Sequence, residues 1–357
     1  MSAAPEYPPV FCMGNPLLDL QVRDGEKLLE KYGLKSNDAI LAEEKHMPIY
    51  DELVKDYEVT YVAGGAAQNA ARAAAYVLPP KHVVYVGAVG DDQLADQLRA
   101  ANDKEGVESA YQVHSGEKTG ACAVVITGHD RSLCTTLAAA EKFEQSHLQK
   151  PEIKAYLDNA KFFYIGGFFL THGIESALDV AKVASGKGKV VALNLSAPFI
   201  PQFFKVQLEQ LLPYVDILIG NESEAEAYAA GQGMADSSIA QIASAIANLP
   251  KSNASRPRLV VITQGSESTL VASSSASLSK CNIHPEEPNP KTYPVPKLTD
   301  EQIVDTNGAG DAFAGGFLAA HALGKTLNEC VEVGHKMGQM CVGQVGPAFK
   351  FPKISVL

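Results

Sequence analysis

Asp305-Thr306-Asn307-Gly308-Ala309-Gly310-Asp311 is the stretch that decides the fold, and an apolar helical pattern follows it directly. The small residues at 308–310 allow backbone N–H groups to approach an anion, and the positive end of the following helix favours negative charge there. Asp311 would lie at the start of that helix, where a carboxylate can accept the proton of an attacking hydroxyl. The stretch therefore predicts a phosphate site with a general base; the alternative is an aspartate that only caps the helix.

A second glycine-containing stretch runs from Ala63 to Arg72 and leads into an alanine-rich helical pattern. Gly64 and Gly65 allow a ligand to approach the backbone closely, because neither carries a Cβ atom. Asn69 offers both a donor and an acceptor on the first helical turn. The stretch indicates a binding site for a polar ligand, although tight helix packing would explain the small residues equally well.

Polar side chains also follow other predicted strands. Asn15 and Asp19 come after the first strand, where ligands of open α/β sheets bind and a carboxylate can accept hydrogen bonds from two vicinal hydroxyls. Asn221 and Glu224 are three residues apart at a strand-to-helix junction and can face one point. That pair suits Mg²⁺ bound through water, because Mg²⁺ keeps several waters and takes few protein carboxylates. A helix start rich in glutamate is the alternative.

Apolar runs rich in Val, Ile, Phe and Tyr alternate with helical patterns along the chain. The predicted strands are residues 10–13, 82–86, 161–165, 189–195, 215–219 and 258–263. The predicted helices are residues 92–102, 174–185, 222–230, 238–249, 311–323 and 327–342. Strands without polar alternation are typical of a parallel sheet covered on both faces. The alternation predicts a doubly wound α/β fold.

One part of the chain does not follow this alternation of strands and helices. Residues 121–127 and 132–137 are typical of two strands joined by a turn, and residues 24–61 are polar and irregular. We expect a large α/β domain from residues 1–19, 63–113 and 139–357, and a small β-rich lid from residues 20–62 and 114–138. The alternative is that these two stretches are unrelated segments on the protein surface and do not form a lid.

The composition limits the possible partners. The 357 residues carry a net charge of −11, so no general attraction for nucleic acid or an anionic membrane is expected. The six cysteines form no CxxC pair, which favours reduced thiols over a disulfide framework or a zinc site. Neither a signal peptide nor a membrane span is predicted. We therefore expect a cytoplasmic protein, with the nucleus as a second location.

The string from Asp305 to Asp311 resembles the anion-hole motif of the ribokinase-like (PfkB) sugar kinase family, and Gly64-Gly65 resembles the substrate-side motif of that family. The resemblance implies an ATP-dependent kinase with Asp311 as catalytic base. It also implies that Gly308, Ala309 and Gly310 stabilise the transferring phosphate, that Gly64, Gly65 and Asn69 hold ribose hydroxyls, and that Asn221 and Glu224 serve Mg²⁺.

Further segments resemble one branch of that family, the adenosine kinases of eukaryotes. These segments are 15–19, 40–43, 128–137, 167–171, 194–200 and 213–218, and the likeness runs from about residue 10 to about residue 346. It implies a monomer with adenosine and ATP as substrates, and an arginine, Arg131, that swings onto the transferring phosphate. Ala39 stands where the adenosine kinases of animals typically carry glutamine.

The same resemblance assigns further residues to the two substrates. Those assigned to adenosine are Asn15, Asp19, Cys122, Leu133, Leu137, Phe169, Phe199 and Asn307. Those assigned to ATP are Asn221, Thr263, Gly265, Thr306 and His335. Apolar walls suit a flat purine better than a bare sugar. A related kinase of another nucleoside or sugar, and a nucleoside-binding protein without catalysis, are the remaining alternatives.

Overall fold

A nine-stranded sheet lies at the centre of the computed structural model, which describes residues 7–36, 39–128, 130–274 and 289–357. In spatial order the strands are β16 (Lys291–Pro294), β15 (Ser268–Ser273), β14 (Leu259–Gln264), β13 (Ile217–Asn221), β12 (Val190–Asn194), β11 (Phe162–Gly166), β1 (Val10–Met13), β5 (Val83–Val86) and β7 (Val107–Ser109). The strands from β14 to β7 are parallel, and β15 and β16 are antiparallel at one edge. All six predicted strands belong to this sheet.

Helices cover both faces of the sheet, and the side chains of β1 show the division. Val10 and Cys12 point into one buried cluster, whereas Phe11 and Met13 point into the other. The first face is covered by α3 (Ala66–Val77), α4 (Gln93–Glu105), α11 (Ala309–Ala322) and α12 (Leu327–Val342). The second face is covered by α5 (Pro151–Asn159), α6 (Ile174–Gly186), α7 (Phe199–Phe203), α8 (Lys205–Leu211), α9 (Glu222–Gly231) and α10 (Ile239–Ala247). The predicted doubly wound, ribokinase-like α/β fold is confirmed.

The crossing of α3 and α11 brings the two predicted motifs together. A Cβ atom on Gly315 would meet the backbone oxygen of Ala70, so only glycine allows the two helices to approach this closely. The first turns of both helices consequently face each other, and Asn69 on α3 reaches Asp311 on α11.

A second sheet has five strands in the described part of the chain. In spatial order they are β3 (Ala39–Leu41), β10 (Asp130–Thr136), β9 (Ala121–Thr127), β2 (Leu17–Arg23) and β4 (Thr60–Gly64). One face packs against α1 (Glu26–Tyr32) and α2 (Pro48–Asp56), so the irregular structure predicted for 24–61 was wrong. The opposite face carries Cys122 and Leu133. The division of the chain into a body and a lid domain stays a prediction.

Three smaller findings complete the fold. A parallel pair of short strands, β6 (Ala88–Gly90) and β8 (Gln112–His114), lies outside both sheets. Among the described helices, none combines the length and apolar character that crossing a membrane requires. The cysteines within the described ranges are free and buried, and Cys281 lies outside those ranges.

Candidate active site

A cavity of about 650 Å³ opens at the carboxyl ends of the central strands. Its floor comes from residues at or just beyond the strand ends, namely Gly14 and Asn15 after β1, Gly166 in β11, Asn194 in β12 and Asn221 in β13. Its cover comes from the five-stranded sheet through Asp19, Ala39, Ile40, Cys122 and Leu133. The volume lies within the range of small-molecule sites, and the position is the one expected for an open α/β sheet.

Asp311 faces the cavity from the first turn of α11. The helix begins at Ala309 and its N-cap is Gly308, so Asp311 is not the capping residue. Its Oδ2 accepts a hydrogen bond of 3.0 Å from Asn69 Nδ2. Burial raises the pKa of Asp311 to about 7, and the hydrogen bond from Asn69 opposes that rise. A carboxylate with this pKa can exchange a proton near neutral pH.

The turn before α11 has the conformation that an anion site needs. Gly308 has φ of +76°, and a Cβ there would also meet Pro347. Gly308 and Gly310 line the cavity, whereas Ala309 lies beside them in the helix but outside the cavity wall. The first N–H groups of a helix have no acceptor within it, so those of Gly310 and Asp311 can bind an anion. The N–H of Ala309 instead donates to the carbonyl oxygen of Thr306.

Gly64 and Gly65 are needed for the placement of Asp19 and Asn15, two polar residues that line the cavity. A Cβ on Gly64 would collide with the carboxylate of Asp19, and a Cβ on Gly65, at φ +85°, would collide with the backbone oxygen of Asn15. Gly65 lines the cavity and Gly64 lies behind Asp19. Burial raises the pKa of Asp19 to about 7, the charge of Arg72 lowers it, and that of Asp311 raises it.

His172 contacts Asn15 at the cavity, and the sequence did not indicate this histidine as part of the site. Its Nε2 lies 2.9 Å from Oδ1 of Asn15, and Nδ2 of Asn15 donates to the carbonyl oxygen of Phe168. Because the Asn15 amide offers only its oxygen to the ring, Nε2 must carry the proton. Burial lowers the pKa of His172 to about 4, so the ring stays neutral.

Asn221 and Glu224 form a capping box at the start of α9 and both line the cavity. Nδ2 of Asn221 donates to one carboxylate oxygen of Glu224, and the backbone N–H of Asn221 donates to the other, each at 3.0 Å. Burial raises the pKa of Glu224 to about 7. No cluster of three metal-ligating side chains occurs among the described residues. A single buried carboxylate with an amide neighbour fits Mg²⁺ held mainly by phosphate and water.

The aromatic wall differs in detail from the sequence prediction. Phe169 is fully buried against Phe143 and His172, although it contributes to the lining. Its neighbour Phe168, which the sequence did not single out, is partly exposed and packs against Phe199. The remaining apolar positions predicted for this wall are in place: Cys122, Leu133, Leu137 and Phe199. Ala39 also lines the cavity.

The predicted ATP-side residues divide into two groups. Asn221, Thr263 and Gly265 line the cavity, as does Asn307 from the adenosine set. Thr306 is exposed outside the wall, and its carbonyl oxygen accepts the N–H of Ala309. His335 is buried under Phe313, with its Nε2 2.8 Å from the hydroxyl of Thr269. The structure does not bring these two residues to the cavity.

Arg131 also lies outside the cavity wall. Its guanidinium forms an ion pair with Asp305, and the side chains are 11% and 1% exposed. For Arg131 to contact a phosphate in the cavity, its ion pair with Asp305 would therefore have to break.

Comparisons with known proteins identify the family of the chain. Residues 26–354 match the model for pfkB family carbohydrate kinases. An adenosine kinase of Schizophyllum commune is 60% identical over 349 residues, which are 98% of each chain. The crystal structure of Anopheles gambiae adenosine kinase in complex with P1,P4-di(adenosine-5) tetraphosphate is 43% identical, with a TM-score of 0.89 and coverage of 96% of this chain and 97% of that one. An adenosine kinase from Schistosoma mansoni, in complex with adenosine in an occluded loop conformation, is 34% identical, with a TM-score of 0.87 and coverage of 96% and 97%. This chain therefore belongs to the pfkB family of carbohydrate kinases.

Proposed function

We propose that the protein transfers the γ-phosphate of ATP to the 5′-hydroxyl of adenosine and releases AMP and ADP. The observation that carries the proposal is the placement of Asp311, a carboxylate in the first turn of α11 that lines the same cavity as Asp19. The extensive identity to an adenosine kinase supports adenosine as the acceptor.

Adenosine would lie under the five-stranded sheet. Asp19 would accept hydrogen bonds from the two ribose hydroxyls, since an ionised carboxylate can accept from both. The purine would lie between apolar side chains of the two layers, including Leu133, Leu137 and Phe168. This arrangement favours a nucleoside over a bare sugar, which would need more polar walls.

The phosphoryl transfer follows from the arrangement of Asp311 and the turn before it. The 5′-oxygen of adenosine attacks the γ-phosphorus in line, and the bond between that phosphorus and the β–γ bridging oxygen breaks, so ADP leaves. Asp311 accepts the proton of the 5′-hydroxyl. The N–H groups of the first turn of α11 donate to the phosphate oxygens as their charge develops, and Arg131 adds a positive charge once it leaves Asp305.

Mg²⁺ belongs to the same proposal. Glu224 and Asn221 would hold it through water, and the ion would neutralise charge on the ATP phosphates. Thr263 and Gly265 lie where the nucleotide would continue from the phosphate site. We also propose that the protein acts as a monomer in the cytoplasm, with the nucleus as a second location; size-exclusion chromatography with light scattering and imaging of a tagged chain test these two points.

The test is ADP formation from MgATP by the purified protein with adenosine, inosine, guanosine, ribose or no acceptor. Turnover with adenosine alone, with AMP as product, is expected. Preference for another acceptor would keep the mechanism and contradict the substrate. No turnover by a folded protein, together with adenosine-dependent thermal stabilisation, would show a binding protein without catalysis.

A further inference from the structure

A buried ion pair lies behind the wall that carries Asn69. Nε of Arg72 donates to Oε2 of Glu105 at 2.7 Å, and Nη2 donates to Oε1 at 2.8 Å. The two side chains are only 4% and 9% exposed, and neither lines the cavity. Burying two charges is costly, and an apolar pair of similar size often stabilises a protein equally well. The transfer mechanism described above gives this pair no role.

Arg72 connects the ion pair to the catalytic base through Asn69. The two residues are three positions apart on α3 and therefore share a face of the helix. Nη1 of Arg72 donates to the carbonyl oxygen of Ala63 at 2.6 Å and lies 3.5 Å from Oδ1 of Asn69. Nδ2 of Asn69 donates to Asp311. Buried polar contacts thus run without a gap from Glu105 to Asp311.

The charges at the two ends decide which way the Asn69 amide points. With Oδ1 toward the Arg72 guanidinium and Nδ2 toward the Asp311 carboxylate, both contacts are attractive. A rotation of the amide by half a turn would place its NH₂ group against the guanidinium and its oxygen against the carboxylate, and both contacts would be repulsive. At 3.5 Å the contact with Arg72 is long for a hydrogen bond, so its effect is mainly that of a charge on a dipole.

We propose that Arg72 is a positioning residue for phosphoryl transfer: it holds the Asn69 amide with its NH₂ group toward Asp311, which orients the catalytic carboxylate and favours its ionised form. Glu105 neutralises the guanidinium, so that Arg72 can remain buried. The inference rests on the proposed function, because it assigns Arg72 to the base of that reaction.

Other groups act on Asp311 and must be separated from Arg72. Asp19 on β2 and Glu224 on α9 are carboxylates whose pKa values the charge of Asp311 raises, so both oppose its ionisation in turn. Tyr85, Tyr164 and Cys341 also sense its charge, but burial raises their pKa values and keeps them neutral. Arg72 itself lowers the pKa of Asp19. A change at Arg72 therefore affects adenosine binding through Asp19 and proton transfer through Asp311.

The test uses the full chain and two readouts. The first is a ¹³C NMR titration of the Asp311 carboxyl carbon, assigned with Asp311→Asn, in the unliganded protein. The second is the single-turnover rate of phosphoryl transfer as a function of pH, at saturating adenosine. In Arg72→Met we expect the Asp311 titration and the acid limb of the rate to move to higher pH by about one pH unit, and the rate at pH 7 to fall about fivefold. Arg72→Lys keeps the charge and should shift both less.

A double variant separates positioning from an independent effect. If Arg72 acts through Asn69, Asn69→Ala/Arg72→Met should transfer phosphate no more slowly than Asn69→Ala alone. Lys251→Met is the matched control, because Lys251 forms a similarly buried ion pair with Asp216 at 2.6 Å outside the cavity wall. It should lower thermal stability and leave both pH readouts unchanged.

The outcomes distinguish the two proposals. An unshifted Asp311 titration in Arg72→Met, or additive losses in the double variant, would overturn the role of Arg72. If Arg72→Met does not fold, the smaller shift expected in Arg72→Lys replaces it. Failure of the unmodified protein to phosphorylate adenosine would contradict the proposed function, whereas the NMR titration would still decide whether Arg72 acts on Asp311.

Discussion

Both carboxylate oxygens of Asp305 bind the guanidinium of Arg131, one through Nε and the other through Nη2. Arg131 belongs to the five-stranded sheet, whereas Asp305 immediately precedes the turn that leads into α11. Asp305 also accepts hydrogen bonds from the backbone N–H groups of Asn307 and Gly346. Asp305 thus connects the sheet that covers the cavity to the turn before α11, and it holds Arg131 outside the cavity wall.

Replacing Arg131 should affect catalysis more than substrate binding. If Arg131 moves from Asp305 to the transferring phosphate, Arg131→Met should lower the single-turnover rate about 10²–10³-fold, as for other donors to a developing charge. The dissociation constant of adenosine, measured by calorimetry without ATP, should change little. An unchanged transfer rate would exclude Arg131 from the reaction.

The same variant leaves Asp305 buried without its charged partner. We expect the free energy of unfolding to fall by about 3 kcal/mol, since removal of one partner of a buried pair is strongly destabilising. Adding Asp305→Asn should restore part of that loss in denaturant titrations without restoring the transfer rate. Recovery of both would show that Arg131 contributes only to folding.

Replacing Asp311, the proposed base, should separate binding from turnover. Asp311→Asn keeps an oxygen that can accept the hydrogen bond from Asn69 but cannot accept a proton at neutral pH. We expect the turnover number to fall about 10²–10⁴-fold, with the affinity for adenosine nearly unchanged. Turnover close to that of the unmodified protein would remove Asp311 as the base.

The carboxylates of the cavity should make the unliganded protein less stable as pH rises. Asp19, Asp311 and Glu224 have pKa values raised to about 7 by burial, whereas in the unfolded chain they titrate near ~4. The folded state therefore binds more protons between pH 4 and pH 7, and the free energy of unfolding falls across that window. At pH 8, Asp311→Asn should raise it by on the order of 1–2 kcal/mol. Thermal unfolding of the variant and of the unmodified protein at pH 5 and pH 8 tests this prediction. A stability gain of equal size at both pH values would contradict it.

The sequence predicted the central sheet well because its strands are continuous apolar runs. The segment 24–61 was mistaken for irregular structure because its helices bury few residues. Only Leu28 and Tyr32 of α1, and Ile49 and Leu53 of α2, are buried. Two apolar positions in a short polar segment do not produce a helical period that can be recognised.

The sequence predicted the parts of the site that depend on local backbone conformation. A pair of glycines, or a carboxylate at the start of a helix, can be interpreted from the few residues around it. The contact between His172 and Asn15, by contrast, joins residues 157 positions apart, and the ion pair of Arg131 with Asp305 joins residues 174 apart. A single histidine or arginine carries no signal of such a partner, so these contacts required the folded chain.

Substitution of Gly64 tests the proposed adenosine contact of Asp19 through a steric effect alone. The backbone of Gly64 does not have a positive φ, so alanine is strained there only by its neighbours. Its Cβ would meet the Asp19 carboxylate, which would have to move. Because Asp19 is the proposed ribose acceptor, Gly64→Ala should raise the Michaelis constant for adenosine about tenfold or more, the loss expected for one charge-assisted hydrogen bond.

The Michaelis constant for MgATP should change much less in Gly64→Ala, because Asp19 is assigned to adenosine and not to ATP. Gly186→Ala is the matched control: it lies at the end of α6, and an added Cβ there meets no atom within 4 Å. It should leave both constants unchanged and slightly stabilise the helix, since alanine is the better helix former. An equal rise of both Michaelis constants in Gly64→Ala would show that Asp19 does not act on adenosine alone. The ribose contact would then have to be assigned to another residue of the cavity.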